Sequence, residues 1–155
     1  MSGKIDARLA ELGLELPQAT APIANYVPYT VSGKLVIVSG QVSVRNGKPE
    51  YVGKLGAGMT VADAQQAAKL CALNIIAHLK NACGGDLDKV SRVLRLGGFV
   101  NCTPDFTEMP QVVNGASDLM VAVFGDAGKH ARAAVGVASL PLGVSVEVEA
   151  MFELA

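Results

Sequence analysis

The sequence predicts an α+β domain of two layers, a mostly antiparallel mixed sheet backed by two long helices, with one short helix in front. Three observations carry this. "TVADAQQAAKLCALNIIAHLKNA" and "MPQVVNGASDLMVAVF" repeat apolar residues every three or four positions, the period of an amphipathic helix. Around them lie β-branched runs of strand length, such as "KLVIVSG" and "VSVEVEA". Two long helices alternating with such runs bury their apolar faces best against one sheet.

The elements follow in order. Ile5, Leu9 and Leu12 are spaced for a short helix that Gly13 stops. Pro17 to Pro28 contains three prolines and reads as irregular chain. Three strands follow, in "YTVSG", "KLVIVSGQVSVR" and "EYVG". "NGKP" at 46–49 is the turn between the last two. Thr60 is the N-cap of the first long helix, with Asp63 three residues on. Val61, Ala64, Ala68, Cys71, Ile75 and Leu79 form its apolar stripe, and Gly84 and Gly85 end it. Val90 to Asn101 is a strand. Met109, Val112, Val113, Ala116, Leu119, Met120 and Val123 face the core from the second long helix, with Pro110 in its first turn. "ARAAVGV" and "VSVEVEAMFEL" are the last two strands, separated by "LPLG". The chain divides into a helical extension, 1–20, and a single domain, 21–155.

Composition narrows the function. The chain has 155 residues, half of them hydrophobic and 17% charged, enough for one core and too apolar for disorder. The net charge is −1 and no basic run occurs, so no electrostatic footprint for nucleic acid is present. No apolar run reaches the ~18 residues of a membrane span. Asp6, Arg8 and Glu11 interrupt the N-terminal apolar residues, unlike a secretory signal. Cys71, Cys83 and Cys102 match no zinc spacing and are expected as buried thiols in a cytoplasmic protein. Phosphate-loop, HExxH and GxSxG motifs are absent. His78 and His130 are isolated, so no metal site is expected.

Arg132 and Glu147 are the informative pair. Arg132 opens the first terminal run and Glu147 lies inside the second. Charge in core-type sequence is costly unless paired or used. If the two runs form a hairpin, the pair can be a salt bridge tying them together. Alternatively, Arg132 grips a carboxylate and Glu147 handles a water. His130, two residues from Arg132, has no evident acid–base partner in the sequence.

"ARAAVGVASLPLGVSVEVEA", "APIANYVPYTVSGKLVIVSGQVSV" and "VVNGASDLMVAVFG" together resemble the Rid family of reactive intermediate deaminases, also called YjgF-like or endoribonuclease L-PSP. The resemblance covers residues 21–155 in order. It implies a chorismate-mutase-like fold, a homotrimer and ligand clefts between subunits. It also implies hydrolysis of enamines and imines to 2-oxo acids and ammonia without metal or cofactor. By the same resemblance Arg132 binds the substrate carboxylate and Glu147 holds the attacking water. Tyr29, Ser39 and Gly40 shape the cleft, and Asn114 contacts its edge. Ala134 stands where many members have Cys, so only its backbone can serve. The helical extension, Ala134 and "GFVNC" mark a divergent, longer subgroup. Two further readings remain: a non-catalytic protein that binds or senses a small carboxylate such as a 2-oxo acid, and, ranked last on charge, an endoribonuclease.

Overall fold

The computed structural model describes residues 3–19 and 25–155. Helix α1 is Lys4–Glu11. Strands β1 (Tyr29–Ser32), β2 (Leu35–Val42), β3 (Val44–Arg45) and β4 (Lys48–Pro49) follow. Helix α2 is Val61–Ala82 and β5 is Val90–Asn101. Helix α3 (Met109–Phe124), β6 (Ala131–Val137) and β7 (Val146–Leu154) complete the chain. The start of the "AP…PY" stretch, at 21–24, lies outside the described residues.

The main sheet has the order β1-β2-β7-β5-β6. Every pairing is antiparallel except β5 with β6. Parallel neighbours need a crossover, and α3 supplies it. On β7, Val146, Val148, Ala150 and Phe152 are all buried under the helices, while Glu147, Glu149 and Met151 alternate onto the other face. The two-layer α+β architecture expected from the sequence is present.

Two local expectations need correction. "EYVG" is not a strand; among the described residues four strands, not three, precede α2. The turn is shorter than "NGKP": Asn46 and Gly47 both have positive φ, 52° and 76°, so they form a two-residue hairpin turn and pairing resumes at Lys48. Val52 makes only a single bridge, to Val144. The second correction concerns the last two strands, which are not a hairpin. β5 lies between them.

The helices sit as their sequences require. Thr60 caps α2, accepting from the Asp63 amide at 3.1 Å. Gly84 and Gly85 close its end at φ 65° and 95°, and the Gly85 amide returns to the Lys80 carbonyl at 2.8 Å. Gly3, at the N-cap of α1, has no side chain to cap with. Asp88 does it from 84 positions away, accepting from the Lys4 and Ile5 amides at 2.9 Å each. Those two bonds hold the Asp88 carboxyl below its usual range. Leu9 is buried in the main core, and Arg8 donates to the Ala122 carbonyl of α3 at 2.9 Å.

Helices α2 and α3 approach closely at Gly115. A Cβ there would overlap the Gln65 backbone carbonyl oxygen, which no side-chain rotation relieves. Gln65 Nε2 donates to the Gln111 carbonyl at 2.8 Å beside it. Gly115→Ala is expected to destabilise the fold by about 2–3 kcal/mol through overpacking. The urea midpoint checks this, and an unchanged midpoint would show that the helices separate freely.

Candidate functional site

Arg132 is the second residue of the edge strand β6. It is paired with Leu96, which pairs in turn with Ala150, and both partners are buried in the core. Directly opposed residues share a sheet face, so Arg132 points to the helix side. There Nη1 donates to Asn114 Oδ1 at 2.7 Å and to Ser117 Oγ at 3.2 Å. Asn114 and Ser117 are three apart on α3 and so neighbour each other on its surface. Both acceptors are neutral. Among the described residues no carboxylate is paired with Arg132.

The Ser117 hydroxyl lies 2.9 Å from His130 Nε2, and His130 Nδ1 lies 2.7 Å from the Gly128 carbonyl. A carbonyl only accepts, so Nδ1 carries a proton in both charge states of the ring. In the neutral ring Nε2 is bare and accepts from Ser117 O–H. His130, read from sequence as partnerless, therefore has partners on two sides. Ser117 was missed. Its signal was the helical spacing from Asn114 and the His130–Arg132 repeat of two.

Glu147 lies elsewhere. It pairs with Phe99 and Val42, alternates with the buried Val146 and Val148, and faces away from the helices. It is two strands from β6, roughly 10 Å across at ~4.8 Å per strand, and on the other face. The salt bridge to Arg132 considered from sequence is therefore not formed. The hairpin that would have brought the pair together is not formed, because β5 lies between β6 and β7. Arg95 pairs instead with Glu149 on the Glu147 face, at 3.3 Å. Burial, and secondarily the charge of Glu149, raises the Glu147 carboxyl above its ordinary value.

The remaining candidates divide the same way. Gly40 lies against Glu147: a Cβ at position 40 would stand 3.1 Å from its carboxylate. Ser39 Oγ donates to the Val27 carbonyl at 2.7 Å, and its amide to the Pro28 carbonyl at 2.8 Å, which ties the approach of β1 to β2. Tyr29, opposite Val38, packs partly against the core at the β1 end. Ala134 lies two residues past Arg132 on the same face, opposite Gly98. One chain thus carries an Arg132–Asn114–Ala134 group at the β6 edge. A second group of Tyr29, Ser39, Gly40 and Glu147 lies at β1, β2 and β7.

The cysteines are free and buried. Burial, with the charge of Glu147 adding, pushes the Cys71 thiol up, and burial does the same to Cys83. His78 is a packed residue of α2, its pKa lowered by burial. Among the described residues no group of His, Cys, Asp or Glu is placed to hold a metal, and no helix is long and apolar enough to cross a membrane.

Residues 6–154 match the family described as "YjgF/chorismate_mutase-like, putative endoribonuclease". The chain belongs to this family. It is 50% identical to Protein TCP17 of Trypanosoma cruzi, over 99% of this chain and 96% of that one. The protein Atu1372 of Agrobacterium tumefaciens is 52% identical over 97% of this chain and 92% of its own, with a TM-score of 0.91. A protein of Shewanella oneidensis MR-1, described as a "putative endoribonuclease", is 39% identical over 98% and 100%, with a TM-score of 0.93. The chorismate-mutase-like fold expected from the sequence is the fold of this family.

The Glu147 environment has a consequence for stability. A carboxyl raised in the fold binds a proton more tightly there than in the unfolded chain. Its charged form therefore opposes folding, and that cost appears as pH rises above the ordinary value of 4.5. Glu147→Gln is expected to raise the unfolding midpoint near neutral pH, with the gain fading as pH falls to 4.5. Paired thermal melts at the two pH values check this, and a gain equal at both would exclude the titration as its cause.

Proposed function

We propose that this chain hydrolyses reactive imines and enamines of 2-amino acids to 2-oxo acids and ammonia. The observation that carries the reading is the environment of Arg132. Its guanidinium is oriented by two neutral oxygens and, among the described residues, left without a counter-ion at an exposed strand edge. Arginine in that state is a fork for a carboxylate.

The chemistry asks little more. An imine carbon is already electrophilic, so holding the substrate and orienting a water supply much of the rate. An enamine first moves a proton from nitrogen to its β-carbon and becomes the imine; water then adds to the imine carbon, a proton passes from oxygen to nitrogen, and ammonia leaves as the carbonyl forms. No cofactor enters this balance. In this reading Glu147 is the group that takes and returns the proton of the water. Its raised pKa suits a base working toward neutrality.

One chain does not bring Glu147 to its own Arg132, so the reading requires a second copy. The β6 edge of one copy would meet the Tyr29, Ser39, Gly40 and Glu147 group of the next, with the Ala134 backbone in the wall of the cleft. Repeated around a closed ring this gives a homotrimer. The exposed Ile37 and Val135 on the helix-free face support an assembly that covers them. A cytoplasmic setting would keep the three thiols reduced.

A second reading has its own support. The Arg132 group is formed within one chain, without Glu147, and would suffice to bind or sense a 2-oxo acid without turnover. Endoribonuclease activity is disfavoured by the net charge of −1.

The test generates 2-imino acids from several amino acids with an amino-acid oxidase and follows their decay. Wild type is expected to accelerate hydrolysis, and Arg132→Ala to lower kcat/KM about 100-fold, the worth of a charge-assisted pair. Light scattering is expected to give a trimer. A folded trimer that accelerates nothing would leave the binding reading in its place.

A further inference from the structure

His130, Ser117 and Arg132 form a continuous chain of contacts ending on the Gly128 carbonyl, and their protons can be counted. With a neutral ring, Nδ1–H is committed to Gly128 and Nε2 is an acceptor. The single Ser117 proton is then committed to Nε2, and the Ser117 oxygen accepts from Arg132. Ser117 has nothing left to donate. With a protonated ring, Nε2 becomes a donor at the same 2.9 Å contact. The Ser117 oxygen then accepts from both His130 and Arg132, and its hydroxyl proton is released toward whatever Arg132 holds.

We propose that Ser117 is a ligand-binding residue of the Arg132 site and that His130 is the positioning residue that arms it, so that a carboxylate bound at Arg132 draws a proton onto His130. The proposal rests on reading Arg132 as a carboxylate anchor. The ligand class is a small carboxylate, with the Ser117 hydroxyl completing the set of donors around its oxygens.

The charges on the elements packed around His130 are Arg132 on β6, Asp118 beside Ser117 on α3, Arg92 and Arg95 on β5 and the Asp126–Lys129 pair of the preceding turn. Arg95 is engaged with Glu149, and Lys129 with Asp126 at 3.4 Å. Arg132 meets the ring through the Ser117 oxygen that both contact, so a carboxylate on Arg132 that accepts the Ser117 proton favours the protonated ring. By linkage, protonation of His130 must then strengthen carboxylate binding by the same factor.

The probe is 2-oxobutanoate, titrated calorimetrically at several values between about pH 5 and 8, the range in which histidines switch. At one intermediate pH the titration is repeated in two buffers of different protonation enthalpy. Wild type is expected to bind about tenfold tighter at the acid end and to take up protons on binding. Ser117→Ala and His130→Gln are expected to bind with pH-independent affinity and no proton uptake, and Ser117→Thr, which keeps the hydroxyl, to restore both. Ring-nitrogen NMR of the ligand-free protein is expected to show neutral His130 protonated at Nδ1.

A His130→Gln protein that keeps the wild-type pH slope, or a ring protonated at Nε2, overturns the proposal and leaves Arg132 as the anchor. Equal binding by Arg132→Ala and wild type, or no binding by wild type, overturns the anchor reading and the proposal with it.

Discussion

Everything in this domain is arranged around the period of two along β7. It is the central strand of five, and four of its residues, Val146, Val148, Ala150 and Phe152, are buried beneath α2 and α3. A slip of one residue would put Glu147 and Glu149 into that core. The apolar residues therefore lock the register, and the register alone decides that Glu147 faces away from the helices. Its raised pKa and its contact with Gly40 both follow from that placement.

The second constraint is topological. Strand β6 emerges from α3 and runs parallel to β5, so it takes the outer edge of the sheet. At an edge, one side of the strand is not covered by a neighbour within the chain. Arg132 can then share a face with Leu96 and Ala150 without being sealed in the core. Its charge stays near water while Asn114 and Ser117 fix its direction. A cation oriented by neutral groups keeps its attraction for an anion, whereas an ion pair would have spent it.

These constraints explain why the charged residues of the terminal strands act apart within one chain. Neutral contacts collect around Arg132 on the helix side, and half-buried acids collect on the other. The N-terminal helix is bound into the same body by capping from Asp88 and by Leu9 in the core. The glycine at Gly115 lets α3 approach α2, which in turn sets how far Asn114 and Ser117 stand from β6.

Much was legible in the sequence, because the signals were local and periodic. The Thr60 cap, the Gly84–Gly85 stop and the span from Val90 to Asn101 follow from spacing and side-chain type, and all three are where the sequence placed them. The motifs around Arg132 and Glu147 were enough to identify the family. Distances between elements are not carried by periodicity. "LPLG" looks like a hairpin break, yet a turn signal does not say which strands pair across it. The Asn46–Gly47 turn is two residues shorter than "NGKP" suggests because Pro49, a poor strand residue, is tolerated in a two-residue edge strand. Ser117 carries no chemical signature by itself and gains one only when the fold brings α3 over β6. The sequence by itself determined the layers, the helix ends and the residues that could bear chemistry, since each depends on near neighbours in the chain. The tertiary structure alone decided that Arg132 stands with Ser117 and His130 and apart from Glu147, because strand order and sheet face are set by how the whole core closes.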